Sequence, residues 1–146
     1  MHVVQVATEQ VRIPVAQARV RRTAESVLRA ERVRHAQLSV TFVSDRRMAA
    51  LNWHHLGHRG STDVISFGFA PVANGAPVTG DVYIAPSVAR RNALAHGVGI
   101  REELLRLVVH GTLHVLGHDH PEDEARYTSR MWRRQEQLLR RALVSA

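Results

Sequence analysis

The sequence predicts an α+β domain, with about four strands in a mixed sheet packed with helices, over residues 1–146 as one unit. Three observations carry that expectation. Strand-like and helix-like stretches are interspersed rather than segregated or strictly alternating. The length of 146 residues suits a single core, and a chain of this size buries roughly 68–70% of its unfolded surface without staples. One stretch, from Arg101 to Gly117, is apolar on nearly every side, as a helix at the centre of a domain must be.

Taken in order, residues 2–8 are rich in Val and alternate weakly, so they read as a short strand. Pro14 can open a helix at its first turn. From there to about Val33, Val15, Ala18, Val27 and Leu28 mix with Arg19, Arg21, Arg22, Arg29 and Arg32, which gives an amphipathic helix with a basic face. Leu38 to Val43 alternates cleanly and is a strand. Ser44-Asp45 starts a helix that Met48 and Leu51 carry to about His55. A loop follows over residues 56–61, then a strand from Thr62 to Phe69. Pro71 to Pro77 holds Asn74-Gly75 and is a turn region. Gly80 to Ala85 returns as a strand, antiparallel to its predecessor. Pro86-Ser87 opens a helix that ends near Gly97 or Gly99. Glu102 and Glu103 complement the positive end of the next helix, and Pro121 with Glu122, Asp123 and Glu124 starts a last one running to about Leu143.

The composition narrows the chemistry. Cys is absent, which excludes disulfides and thiolate metal sites and fits a reducing compartment. The chain has no apolar run long enough for a membrane span and no signal-peptide core at its beginning, so a cytoplasmic protein without a membrane partner is expected. The formal charge is +7, and all 20 basic residues are Arg. Two readings fit that surface: a solvated basic face, or a polyanionic partner, for which the planar Arg fork suits phosphate.

Residues 110–120 concentrate the reactive side chains. His110, His114 and His120 have the spacing H-x3-H-x5-H. Residues four apart share a helix face, so His110 and His114 project together. Gly117 tolerates the left-handed conformation that ends a helix, so the chain can turn and bring His120 to the same point. Three converging imidazoles with an open fourth position describe a catalytic rather than a structural zinc site. Asp119 could orient a ligand ring or cap the following helix; His118 could add a polar group near the metal or lie exposed. The spacing is that of metzincin proteases, but they carry Glu after the first His as general base. Here that residue is Gly111, which argues against peptide hydrolysis and asks for a reason of its own, such as close approach by a neighbouring backbone or by substrate. Free imidazoles titrate near 6.5, so metal occupancy is expected to weaken below about pH 6.

Together these residues resemble the signature of the YbeY family, bacterial endoribonucleases and rRNA maturation factors. The match runs through His110-Gly111, Leu113-His114, Gly117 and Asp119-His120. Two further blocks agree: Leu51-Asn52 followed by Thr62-Asp63-Val64-Ile65-Ser66-Phe67, and Gly80-Asp81-Val82-Tyr83-Ile84. The resemblance covers roughly residues 40–140. It implies a zincin-like domain with one zinc ion on His110, His114 and His120. It also implies metal-dependent, single-strand-specific cleavage of RNA, maturation of the 3′ end of small-subunit rRNA, and ribosome quality control. Single-stranded RNA, rRNA and the ribosome are the partners so implied, with no DNA expected. The chain departs from the family in two places. His118 stands where Tyr is common, and Leu56 stands where many members have an Arg with a catalytic role. Arg59, with His58 beside it, is the candidate to replace that charge. The alternatives are a non-catalytic ribosome-biogenesis factor stabilised by zinc and, disfavoured by Gly111, a zincin-type peptidase.

Overall fold

The structure, a computed structural model, describes residues 1–69, 71 and 73–144. Its elements are β1 (His2–Thr8), α1 (Gln17–Ala30), β2 (Ala36–Phe42), α2 (Asp45–Leu51), β3 (Val64–Phe69), β4 (Val78–Ile84), α3 (Pro86–His96), α4 (Ile100–Val115) and α5 (Arg130–Val144). A single π-helical turn, Asn52–Leu56, extends α2, and a 3-10 turn, Glu124–Thr128, precedes α5. The four strands form one mixed sheet in the order β1-β2-β4-β3. β1 and β4 run parallel to β2, and β3 is antiparallel to β4, with Ser66 opposite Val82.

The expected patterns explain most of these elements. β2 buries alternate residues Ala36, Leu38, Val40 and Phe42, so one of its faces is committed to the core. α1 buries Val20, Thr23, Ala24, Val27 and Leu28, the i, i+3, i+4, i+7, i+8 stripe of an amphipathic helix. Its arginines at 21, 22 and 29 stay exposed, which is the predicted basic face. The Ser44 hydroxyl accepts from the Arg47 N–H at 3.2 Å and caps α2. Between β3 and β4 the Ala76 N–H donates to the Ala73 carbonyl at 3.1 Å, with Gly75 at φ 83°. That is the glycine position of a type II turn. Val72, within the predicted turn region, lies outside the described residues.

The strands begin within two residues of the sequence reading, but two helix starts differ more. α1 begins at Gln17, not Pro14. Val11, Ile13 and Val15 pack against the core from an irregular segment, and the Pro14 carbonyl accepts from Arg101 Nε at 2.9 Å. Tertiary anchoring there outweighs the preference of proline for a first helical turn. α5 begins at Arg130, well after Pro121. Asp123 caps only the 3-10 turn, accepting from the Ala125 N–H at 2.9 Å. The Ser129 hydroxyl accepts from the Trp132 N–H at 3.2 Å and takes the cap of the helix proper.

α4 lies at the centre, with the sheet on one side and α1, α3 and α5 around it. Leu104, Val108, Val109 and Leu113 are fully buried there. The helix sits unusually close to the sheet. A Cβ on Gly111 would fall 2.5 Å from Val82 Cγ1, and one on Gly68 of β3 would fall 2.8 Å from the Val115 carbonyl oxygen. Gly68 lacks a side chain where two backbones meet, and Gly111 where the Val82 side chain packs onto the helix backbone. Position 111, the place of the metzincin glutamate, therefore faces Val82 and Ser66 of the sheet. Among the described residues, no helix is long and apolar enough to cross a membrane.

Candidate metal centre and the cavity beside it

α4 ends as the sequence predicts. The His118 N–H donates to the Leu113 carbonyl at 3.0 Å, the Gly117 N–H to the His114 carbonyl at 3.0 Å, and Gly117 has φ 97°. This paired closure with a left-handed residue is a Schellman motif. It reverses the chain directly after the second histidine and returns His120 to the first two. The ring centroids lie 4.6 Å (His110–His114), 5.1 Å (His110–His120) and 4.9 Å (His114–His120) apart. One nitrogen from each ring lies within 4.8 Å of the others.

Hydrogen bonding fixes which nitrogens are free. Gln135 Nε2 donates to Glu136 Oε2 at 3.0 Å, so its Oε1, 2.6 Å from His110 Nδ1, must accept. His110 therefore carries its proton on Nδ1 and points the Nε2 lone pair at the cluster. His120 Nδ1 lies 2.7 Å from the Pro121 carbonyl, which can only accept; its Nε2 is free by the same logic. A histidine that donates its far N–H to a fixed oxygen is the usual preparation for metal ligation. The donor set of three imidazole nitrogens suits a borderline-soft divalent ion.

Burial reinforces this. It is the main cause that lowers the pKa of His110 to about 4, against the Gln135 bond and with the His120 charge adding to it. Burial likewise lowers His114 to about 4, with the His110 and His120 charges adding. Both rings are neutral and ready to ligate across the neutral range. Protons compete for these two only well below the pH that free imidazole suggests. The metal-free fold should record the same shift. Unfolded histidines titrate near 6.5, so between there and pH 4 the unfolded chain binds more protons and stability falls as pH drops. The slope is at most about 1.4 kcal/mol per pH unit for each ring. Urea titrations of chelated protein should show the midpoint falling through this window and level above about pH 7; a midpoint unchanged from pH 7 to 4.5 contradicts the burial.

Gln135 is the functional residue that the sequence reading missed. It is buried (1% exposed) on the apolar stripe of α5 with Met131, Leu138, Leu139 and Ala142. A polar residue at an apolar position of an amphipathic helix was the available signal. Behind it, Glu136 meets Arg106, and Arg106 also binds Glu102 and Glu103, at 3.1 and 2.8 Å. Gln135→Leu should keep the shape of the side chain and lose the orienting acceptor. Metal affinity is expected to fall roughly 10- to 100-fold, measured by competition with a chromogenic chelator; unchanged affinity would show that His110 is oriented by packing alone.

His118 and Asp119 take none of the places considered for them. His118 turns away from the cluster to Glu31, the residue that caps the end of α1, which also accepts from Arg134 Nε at 3.0 Å. It straps the turn after α4 to α1 and α5. Asp119 Oδ1 accepts from the His120 N–H at 2.8 Å, bracing the backbone of the third histidine rather than a ring.

A cavity of about 370 Å³ opens beside the histidines and is bounded by α3, α4, α5 and the 3-10 turn. His110, His120, Arg126, Asp63 and Trp132 are among its lining residues. Arg59 is placed elsewhere. Its guanidinium lies 5.5 Å from the Trp53 ring centroid, over a separate shallow depression beside Gly60. The loop that carries Arg59 and His58 is tied by Asn52, whose Nδ2 donates to the Gly60 carbonyl at 2.9 Å. Trp53 and Leu56 are both about half exposed, at 52% and 48%.

Known proteins share the sequence pattern and the fold of this chain. A family model described as endoribonuclease YbeY matches residues 5–142. The chain belongs to the YbeY endoribonuclease family. Relatives named endoribonuclease YbeY include one from Thermobifida fusca, 39% identical over 77% of this chain and 77% of its own. Another, from Pelotomaculum thermopropionicum, is 38% identical over 82% of each chain. The solution structure of TM1509 from Thermotoga maritima superposes with a TM-score of 0.63 at 22% identity, over 96% of this chain and 89% of that one. It shows that the fold is shared. Family membership makes the chain a hydrolase of the endoribonuclease class, as the resemblance implied.

Proposed function

We propose that the chain is a zinc-dependent endoribonuclease of the cytoplasm that cleaves single-stranded RNA, acts in rRNA 3′-end maturation, and serves ribosome quality control. The observation that carries the reading is the triad His110, His114 and His120, with the far nitrogens of His110 and His120 held by fixed acceptors. Zinc is favoured by the all-imidazole donor set. When bound there, the ion would supply Lewis acidity to a phosphoryl oxygen or to water.

The protein supplies the rest. Gln135 and the Pro121 carbonyl hold the two rings in the ligating tautomer. Cleavage of a phosphodiester also needs cations for its equatorial oxygens. Arg106 is committed to three carboxylates, so Arg126, lining the cavity beside His110 and His120, is the guanidinium left for that role. Arg59 and His58 are assigned to the approaching RNA, with Trp53 under Arg59 offering a face on which an unpaired base can stack. The exposed arginines of α1 and α5 add a diffuse attraction for rRNA that salt should screen. Gly111 offers no general base for peptide hydrolysis, because its position is filled from the sheet side.

Incubation of the purified chain with a fluorescent single-stranded RNA and its duplex tests the proposal. Cleavage of the single strand only, abolished by chelation and restored by zinc, is expected. Cleavage that survives chelation, or no cleavage with any divalent ion, would overturn it.

A further inference from the structure

Asp63, Asn92 and Trp132 line the cavity beside the histidines and have no part in the proposed reaction. Asp63 precedes β3, and Asn92 lies on α3. Asn92 Nδ2 donates to Asp63 Oδ2 at 3.2 Å, and the Thr62 hydroxyl reaches Oδ1 only at 3.5 Å, the outer limit of a hydrogen bond. Burial raises the Asp63 pKa; neighbouring backbone N–H groups and the Arg126 charge oppose that and do not offset it. This carboxylate has been desolvated beyond what its present donors compensate.

The wall around Asp63 is rich in acceptors. The Asn92 amide hydrogens face Asp63, which leaves Asn92 Oδ1 as another acceptor. Glu103, also in the wall, feels the Asp63 charge as a repulsion. The Arg106 guanidinium, which could have supplied donors, is engaged by Glu102, Glu103 and Glu136. Trp132 adds a flat, half-buried apolar surface, braced edge-on by Tyr127 at 4.9 Å and 77°. The volume of about 370 Å³ accommodates a planar heterocycle with part of its sugar.

We propose that this cavity is a base-specificity pocket that takes a guanine of single-stranded RNA, with N1–H and N2–H donating to Asp63 and the base plane against Trp132. Guanine is the base whose Watson–Crick edge sets two N–H donors side by side, and a carboxylate accepts both. Adenine sets one donor beside a lone pair, cytosine an amino group beside a lone pair, and uracil a single N–H between two carbonyls. Each would leave one Asp63 oxygen buried against another acceptor, the mismatch that gives hydrogen-bonding sites their strongest discrimination. A guanosine held here brings its neighbouring phosphodiester to the edge where His110 and His120 line the same cavity. The role in cleavage rests on the nuclease proposal above; the binding of a guanine nucleotide does not.

The test has two arms. The chain holds 2 tryptophans, so a Trp53→Phe variant leaves Trp132 as the sole indole reporter. Titration with GMP and AMP should quench it with at least roughly tenfold tighter binding for GMP. Inosine monophosphate, which lacks the N2 amino group, should fall between them. Adding Asp63→Asn should bring GMP and AMP within about twofold; should that variant not fold, Asn92→Ala, which releases the Asp63 carboxylate, should narrow the same ratio. Equal binding of GMP and AMP, or an equal loss of both in the variants, overturns the proposal. In the second arm the native chain cleaves a set of single-stranded RNAs that differ only at one G. Cleavage indifferent to that G overturns the pocket and leaves the nuclease standing. GMP selectivity without RNA cleavage leaves the pocket standing and overturns the nuclease.

Discussion

His114→Ala should lower RNA cleavage by at least about a thousandfold, because the proposed metal and the proposed reaction both depend on this one group of histidines. His114 is the middle ligand, one turn from His110 and 4.9 Å in ring centroid from His120. With it gone, two imidazoles remain, and an ion held there would lose a third of its protein ligands. The substitution should not unfold the domain. The ring is partly exposed, and its charged form is already disfavoured by burial, so removal of a neutral ring takes away no ion pair. Cleavage rate and metal content should fall together while the melting temperature of the chelated protein changes little. Equal residual cleavage in the variant and the parent would point to a contaminating nuclease. A variant that keeps its metal and loses activity would mean that His114 acts on substrate rather than as a ligand.

Arg106→Ala should produce the largest loss of stability. The guanidinium is 16% exposed and bridges Glu102 at 3.1 Å, Glu103 at 2.8 Å and Glu136 at 3.0 Å. Burial alone would lower its pKa, but the bonds to Glu136 and Glu103 outweigh that and raise it. Its removal strands three carboxylates together, one of them only 8% exposed. Breaking such a group from one side costs about 3–5 kcal/mol, or roughly 10 °C in melting temperature for a domain of this size. The pH dependence has a definite sign. Glu103 already has a raised pKa through burial, and without Arg106 it rises further. The folded state then binds more protons than the unfolded one, so the deficit of the variant should shrink as pH falls toward 5. Melting curves at pH 7.5 and 5.5 test this; a deficit that grows on acidification contradicts it. Because Glu136 holds the Gln135 amide, metal affinity should weaken as well.

The parts of this molecule that were legible from sequence are those whose causes are local. The alternation of Leu38 to Phe42 is the buried face of β2. The H-x3-H-x5-H spacing and Gly117 specify a helix, a left-handed residue and a return, each a property of neighbouring residues. The parts that were not legible depend on distant partners. Pro121 and the acids after it carry every local mark of a helix start, yet the helix waits for Ser129. Gln135 lies 25 residues from the ring that it orients. Arg59 stands near the expected place in the chain, but the π-helical turn and the Asn52 tie present it over Trp53. The close approach that requires Gly111 could be guessed as a need, but Val82 as the neighbour follows only from the sheet order.

The central claim is that His110, His114 and His120 hold one catalytic metal ion. X-ray diffraction at the zinc absorption edge, on crystals of protein purified without affinity to metal resin, tests it most directly. The account predicts one anomalous peak within about 2.0–2.1 Å of a single nitrogen from each of the three rings, with a fourth position not filled by protein. A peak elsewhere, a fourth protein ligand closing the site, or fully loaded protein with no density among these rings would contradict it.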